Sequence, residues 1–251
     1  LTLLKEQNLP HKPLEVLFTT REETGLEGAK ALDLSRLRAK TGIGLDSGGD
    51  QGTIIASAPA QNSLDATVYG RMAHAGANPE EGINAIRVAA EAIVQMPLGR
   101  IDHETTANIG VIEGGSATNI VPEMVTLRGE ARSRNEAKLQ AQTLAMTEAL
   151  ERSAEAHGAR CEIEVRRMYD AYNYDESTPV IRMVSGAMRS VGIEPLLLPT
   201  GGGSDANVFN AGGMQVVQIS GGMKKPHTRE EYVALEDMLT ATRVMLACIR
   251  S

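Results

Sequence analysis

The sequence predicts an α/β domain interrupted by an α+β insertion of ferredoxin-like order. Three observations predict it. The outer segments alternate short apolar strands with helices, the middle segment runs strand, helix, strand, strand, helix, strand, and glycine-rich turns end the outer strands. The boundaries fall at 1–53 for the first part of the outer domain, 54–173 for the insertion and 174–251 for the second part.

Each element has its own signal. Leu1 to Gln7 reads as the end of an apolar helix, and Leu14 to Thr20 as a short buried strand. Arg21 to Gly25 is a loop before a short helix over 26–32. Gly42 to Asp46 is a second strand, stopped by Ser47-Gly-Gly-Asp-Gln-Gly52. In the middle, 64–72 alternates as a strand and 84–95 has helical periodicity. The stretches 105–112 and 123–131 read as strands, 135–156 as the longest helix, and 161–168 as another alternating strand. The α/β rhythm resumes with a helix from Thr178 to Val191, strands at 195–198 and 215–219, and a final helix from Leu235 to Ile249.

Composition narrows the classes of function. With 42% hydrophobic residues in 251, the chain can bury a core. Its 25 basic and 32 acidic side chains leave a net charge of −7 and no basic stripe, which argues against a nucleic-acid partner. No apolar run is long enough to cross a bilayer and no secretory signal opens the chain, so the expectation is no membrane partner and a cytoplasmic location. Cys161 and Cys248 are far apart and form no metal-binding pair.

Several residues carry possible chemistry. Glu22 and Glu23 follow the first predicted strand, in the zone where α/β sheets gather ligands and catalytic groups; the bland alternative is a solvated acidic pair opening a helix. Asp46 falls in the same zone, although Asp before Ser-Gly-Gly is also ordinary turn chemistry. His227 sits in a loop after a strand and suits a metal, but a lone histidine proves little. His74 lies between small residues in Gly-Arg-Met-Ala-His-Ala-Gly, open to a ligand or another subunit. Asn119, in Gly-Gly-Ser-Ala-Thr-Asn, is either part of a hairpin loop or an amide donor to a carbonyl. Arg132 is either structural or a bidentate clamp for a carboxylate. The loop Gly201-Gly202-Gly203-Ser204-Asp205 fits neither a phosphate-binding loop nor a dinucleotide fingerprint. With Ala206 in place of a final glycine it loosely matches a nucleophile elbow, which leaves a serine hydrolase using Ser204 as one reading.

Taken together and in order, these segments resemble the peptidase T-like branch of the zinc metallopeptidase family that includes carboxypeptidase G and the aminoacylases. The matching stretches are Thr-Thr-Arg-Glu-Glu-Thr-Gly-Leu-Glu-Gly-Ala, Gly-Leu-Asp46, the His74 segment, the Asn119 loop, Gly-Glu-Ala-Arg132-Ser, Gly-Gly-Gly-Ser-Asp-Ala-Asn and the His227 loop. The resemblance implies a zinc-binding α/β domain interrupted by a ferredoxin-like lid. It implies Glu22 as general base on a zinc-bound water, Glu23 and His227 as ligands of one zinc and Asp46 of the other. His74 and Asn119 would stabilise the oxyanion, His74 in a neighbouring subunit's site. Arg132 would bind a substrate carboxylate, and Gly202, Gly203 and Ser204 would line the cleft. The implied substrate is a short peptide or an acyl-amino acid, and the implied assembly a homodimer through the lid.

The sequence departs from the family in one respect. The His-x-Asp motif and bridging Asp that the family places before the Glu-Glu segment do not occur. The expectation is that preceding sequence is absent, that the two-zinc site is partly filled or empty in this chain, and that the chain alone is inactive or nearly so. A non-catalytic peptide-binding or assembly module on the same fold is the alternative from a different class.

Overall fold

The computed structural model describes residues 1–250. In chain order the main elements are α1 (Thr2–Glu6), α2 (Glu27–Ala31), β1 (Thr41–Gly48), β2 (Thr53–Ala58), β3 (Ala60–Tyr69), α3 (Ala85–Gln95), β4 (Thr105–Gly114), β5 (Met124–Ser133), α4 (Glu136–Ala156), β6 (Arg160–Tyr169), α5 (Pro179–Ser190), β7 (Leu196–Pro199), α6 (Asp205–Ala211), β8 (Gln215–Lys224) and α7 (Leu235–Arg250). The chain forms two compact units, one of Leu1–Ala58 with the chain from Tyr172 onward, the other of Pro59–Ala171. Among the described residues, no helix is long and apolar enough to cross a membrane.

The first unit is built on a mixed sheet. β1 pairs in parallel with β8, and β8 pairs antiparallel with β2. β2 also pairs in parallel with β7 and antiparallel with Tyr172–Asn173. Successive side chains of a strand point to opposite faces, so a central strand covered on both sides must be apolar at consecutive positions. Ile54, Val217 and Ile219 pack with Val180, Ile181 and Val184 of α5 and Val244 of α7. Their neighbours Ile55 and Val216 pack in a separate cluster with Ala29 of α2 and Ala206 and Phe209 of α6. Pro179 at the first turn of α5 has no backbone N–H to lose, and so suits the helix start.

The second unit is a ferredoxin-like α+β fold. Its sheet runs β4, β5, β3, β6 with every pairing antiparallel, and Gly99–Arg100 adds a short edge beside β4. Even-numbered residues of β3 (Leu64, Ala66, Val68) and odd-numbered residues of β5 (Val125, Leu127, Ala131) share one buried face. Val88 and Ala92 of α3 and Leu139, Met146 and Leu150 of α4 cover it. Both helices begin at an asparagine whose Oδ1 accepts a first-turn N–H: Asn84 from Arg87 at 3.0 Å and Asn135 from Lys138 at 3.2 Å.

The structure corrects one sequence expectation. Leu14 to Thr20 is not a strand: it pairs with no strand among the described residues, and Phe18 is 90% exposed. Apolar β-prone residues form a strand only with a ladder partner for their backbone groups. The sheet also contains β2, whose Thr-Ile-Ile-Ala-Ser-Ala run is buried throughout and was not anticipated from the sequence.

Candidate active site

In the first unit, three separate segments carry the predicted acidic and histidine residues to one region. Glu22 and Glu23 occupy a tight loop before α2. The loop is braced internally, since the Glu22 carbonyl accepts from the N–H groups of Gly25 (3.1 Å) and Leu26 (2.9 Å), and the Thr20 carbonyl from Gly28 N–H (3.0 Å). Arg21 and Leu26 take positive φ values of 58° and 61°, a strained conformation for residues with side chains. Gly28 is required here because a Cβ would sit 2.4 Å from the Thr20 carbonyl oxygen.

Asp46 lies on β1. Its N–H donates to Oε1 of Gln218 on β8 at 3.2 Å, and the other end of that buried carboxamide donates to the Ser204 hydroxyl at 3.3 Å. Gly44 makes room for this bridge, since a Cβ there would collide with the Gln218 carboxamide. His227 lies in the loop after β8 with φ of 61°. Its N–H donates to Glu231 at 3.2 Å, and its Nδ1 stands 3.7 Å from Oε2 of Glu23 in a loose, exposed pair.

The electrostatics tie the segments together. The Glu22 carboxyl is pushed up to about 6, first by partial burial, then by the negative charges of Asp46, Glu23 and Asp205, against a smaller pull from His227. Asp46 is likewise raised, by desolvation first and then by Glu23 and Asp205. An acidic cluster with so little compensating positive charge favours a proton or a cation.

The zinc that the resemblance implies needs a fuller donor set than these residues offer. Among the described residues no group of three or more His, Cys, Asp or Glu side chains is arranged to hold one metal ion. Glu23 and His227 make a two-donor pair and no third donor joins them, whereas even an open catalytic zinc site takes three protein ligands. The residues present do not fit a complete metal centre by themselves.

Ser204 is committed to structure. Its N–H donates to Oδ1 of Asn207 at 3.0 Å, and its hydroxyl completes the capping box that opens α6 while accepting from Gln218. Those contacts fit a cap better than a nucleophile. Gly202 N–H turns back to the Thr200 hydroxyl at 3.2 Å, and neither Gly201 nor Gly202 has an obstruction where a Cβ would lie, leaving that loop open beside the cap. Gly203 continues the same loop.

In the second unit, His74 and Asn119 come together. Ala73 and His74 pair with Val121 and Ile120, and Ala75 N–H donates to the Asn119 carbonyl at 3.0 Å. His74 Nδ1 accepts the N–H groups of Gly76 (3.1 Å) and Ala77 (3.0 Å). A nitrogen that accepts cannot carry the proton, so the neutral ring holds it on Nε2 and presents a donor there. Arg132 is elsewhere. It pairs across the sheet with Gln61 near the start of β3, whereas His74 follows Tyr69 at its other end. Eight residue steps along the strand lead from Gln61 to Tyr69, roughly 26 Å at 3.3 Å each, so these two predicted residues do not converge within one chain. The Arg132 guanidinium is gripped from Nε and Nη2 by Glu130 (2.8 and 2.9 Å), and Gln61 donates to the same carboxylate at 2.7 Å. Sequence reasoning did not anticipate Glu130, Gln218 or Asp205. Glu130 and Asp205 stand in quoted motifs, but a motif does not tell which of its polar residues face one another.

Residues 61–158 match the family model of the peptidase dimerisation domain. The chain is 43% identical over 247 residues to an uncharacterised Bacillus subtilis protein, covering 98% of this chain and 67% of that one. Among solved structures it is similar to aminopeptidase PepT from Bacillus cereus (TM-score 0.90, 43% identity) and to a tripeptidase from Staphylococcus aureus (TM-score 0.94, 36% identity), covering 99% of this chain and 66% of each of those. It spans 60% of the length of Peptidase T sequences that it also matches. With this fold and these relatives, the chain belongs to the peptidase T-like metallopeptidases, the family that carries this dimerisation domain.

Proposed function

We propose that this chain supplies part of a peptidase active site that hydrolyses an amide bond of a short peptide. A tripeptide cut at its N-terminal end is the substrate favoured by the names of its relatives, an aminopeptidase and a tripeptidase; an acyl-amino acid is the alternative. The observation that carries the reading is the convergence of Glu22, Glu23, Asp46 and His227 from three segments distant in sequence.

In this reading Glu22 is the general base. A half-buried carboxylate among other negative charges accepts a proton from water readily and returns it to the leaving amine. His74, with its proton on Nε2, and Asn119 donate hydrogen bonds to the oxygen of the carbonyl under attack. Arg132 keeps guanidinium donors not engaged by Glu130 for a substrate carboxylate, and Gly202, Gly203 and Ser204 line the cleft. Because Arg132 and His74 lie at opposite ends of the lid sheet, a site using both draws them from two chains, which supports a homodimer through the lid. The matched dimerisation domain points the same way. A cytoplasmic location is part of the same proposal.

Zinc is the proposed metal, two ions in a complete site, with Glu23 and His227 as this chain's ligands to one and Asp46 to the other. Its chemistry depends on donors beyond the Glu23–His227 pair, so the 251 residues alone are expected to bind it weakly and hydrolyse little. The test has two arms. In the full-length protein, Glu22→Gln should lower kcat by about 10²–10⁴-fold with KM little changed; retained activity would remove the assignment. In the isolated chain, robust zinc-dependent hydrolysis would refute the incompleteness. The split donor set also favours a second reading, a peptide-binding module without catalysis. Peptide binding by a full-length protein that never cleaves would select it. A Ser204→Ala variant of unchanged activity would dispose of serine chemistry.

A further inference from the structure

One buried side-chain oxygen has no hydrogen-bond partner among the described residues, Oδ1 of Asp205. Its companion, Oδ2, accepts a hydrogen bond from the Thr19 hydroxyl. Asp205 stands in the first turn of α6, directly after the Ser204 cap, and Thr19 lies three residues before Glu22. A carboxylate buried with one oxygen unanswered is a liability to folding, and such groups call for an explanation.

Asp205 sits where the Glu22 loop meets the rest of its unit: after the loop, Ala29 of α2 packs with Ala206 and Phe209 of α6, but before it polar contacts to the unit are few. Residues 14–19 enter no sheet, so no ladder fixes the approach to the loop. The bonds that shape the loop, from Gly25, Leu26 and Gly28 back to Glu22 and Thr20, are internal to it, as is the Arg21–Glu27 ion pair. Upstream, Glu15 ties the chain to the N–H groups of Arg38 and Ala39, well short of Glu22. Beyond Glu22, the Glu23–His227 pair is exposed on both sides and, at 3.7 Å, too long to be a hydrogen bond. The Thr19–Asp205 bond is part-buried, and its charged acceptor makes it stronger than a neutral one. The same helix start is linked through Ser204 and Gln218 to the Asp46 backbone. One scaffold therefore holds both the Glu22 loop and Asp46.

We propose that Asp205 is a positioning residue: by holding Thr19 it fixes the loop that presents Glu22 beside Asp46. The inference rests on Glu22 as general base for its catalytic consequence, but the clamp itself is testable without that reading.

The experiment compares Thr19→Val, Thr19→Ser, Asp205→Ala and Asp205→Asn in the full-length protein, by amide hydrogen exchange over residues 19–28 and by steady-state kinetics. Thr19→Val and Asp205→Ala remove the bond and should speed exchange at Gly25, Leu26 and Gly28 by about tenfold or more. They should also lower kcat by up to about a hundredfold, with KM nearly unchanged. Thr19→Ser keeps the donor and Asp205→Asn keeps an acceptor, so both should restore most of what their partners lose. Exchange and kcat unmoved by Thr19→Val, or a Thr19→Ser variant as impaired as Thr19→Val, would overturn the proposal. If Asp205→Ala does not fold, the threonine pair still decides it. If Glu22→Gln keeps full activity, the general-base reading falls, and the exchange measurement alone judges the clamp.

Discussion

Two glycines inside helices should respond to alanine with opposite signs. Gly186 lies on the exposed side of α5, and a Cβ there would meet nothing within 4 Å. Alanine in a helix interior is better than glycine by about 0.5–1 kcal/mol, so Gly186→Ala should stabilise the protein by that amount. Gly28, in α2, has the same helix-propensity gain to offer, but its Cβ would lie 2.4 Å from the Thr20 carbonyl oxygen and 2.6 Å from the Thr20 nitrogen. Both atoms are backbone and cannot swing aside as a side-chain tip would. Moving them also strains the 3.0 Å bond from Gly28 N–H to the Thr20 carbonyl. Overpacking of this kind costs about 1–3 kcal/mol. Against a propensity gain of at most about 1 kcal/mol, the net effect is destabilisation by up to about 2 kcal/mol. Scanning calorimetry of the two variants beside wild type would measure the difference, each kcal/mol moving Tm by about 2–4 °C in a chain of this size. A Gly28→Ala protein as stable as Gly186→Ala would refute the claim that backbone crowding at Thr20 shapes the Glu22 loop.

Other perturbations test the remaining structure. The folded protein holds the Glu22 proton more tightly than the unfolded chain. That carboxyl therefore contributes stability that is complete below pH 4.5 and lost as pH rises through about 6. Glu22→Gln should flatten that stretch of the stability curve of chelator-treated protein; because the group is only partly buried and solvent screens it, the difference stays below about 1 kcal/mol. A steeper curve in the variant would contradict the sign. In the lid, Leu127→Ala removes a side chain only 1% exposed from the face covered by α3 and α4 and should cost about 2–5 kcal/mol in urea denaturation. Val94→Ala, at an 85% exposed position of α3, should stay within about 0.5 kcal/mol. For Arg132, Arg132→Ala should raise KM by about tenfold or more for peptides with a free carboxylate and leave amidated peptides unaffected. Equal losses for both would assign Arg132 to its Glu130 pair alone.

Much of the architecture was legible in the sequence because it rests on local periodicity. The lid announced itself through 64–72, 84–95 and 135–156, whose apolar spacing of two or of three to four is enforced by burying one face against one neighbouring layer. The structure assigns these as β3, α3 and α4 with boundaries shifted by a few residues. Leu14 to Phe18 reads as a strand for the same local reason and is not one, because a ladder needs a partner that propensity cannot supply. Conversely β2 was hidden, since a strand buried on both faces shows no alternation and its short apolar run follows a glycine turn. The chemistry divides in the same way. Residue type and motif order marked Glu22, Glu23, Asp46, His74, Asn119, Arg132 and His227 as candidates, because reactive groups must be of particular kinds. Which of them meet is a matter of pairing between segments far apart in the chain, and that only the tertiary structure decides. It sets Glu23 beside His227, hands the Arg132 guanidinium to Glu130, joins Asp46 to Ser204 through Gln218, and ties the Glu22 loop to Asp205. Each of these contacts depends on long-range register, for which a single sequence carries no local signal.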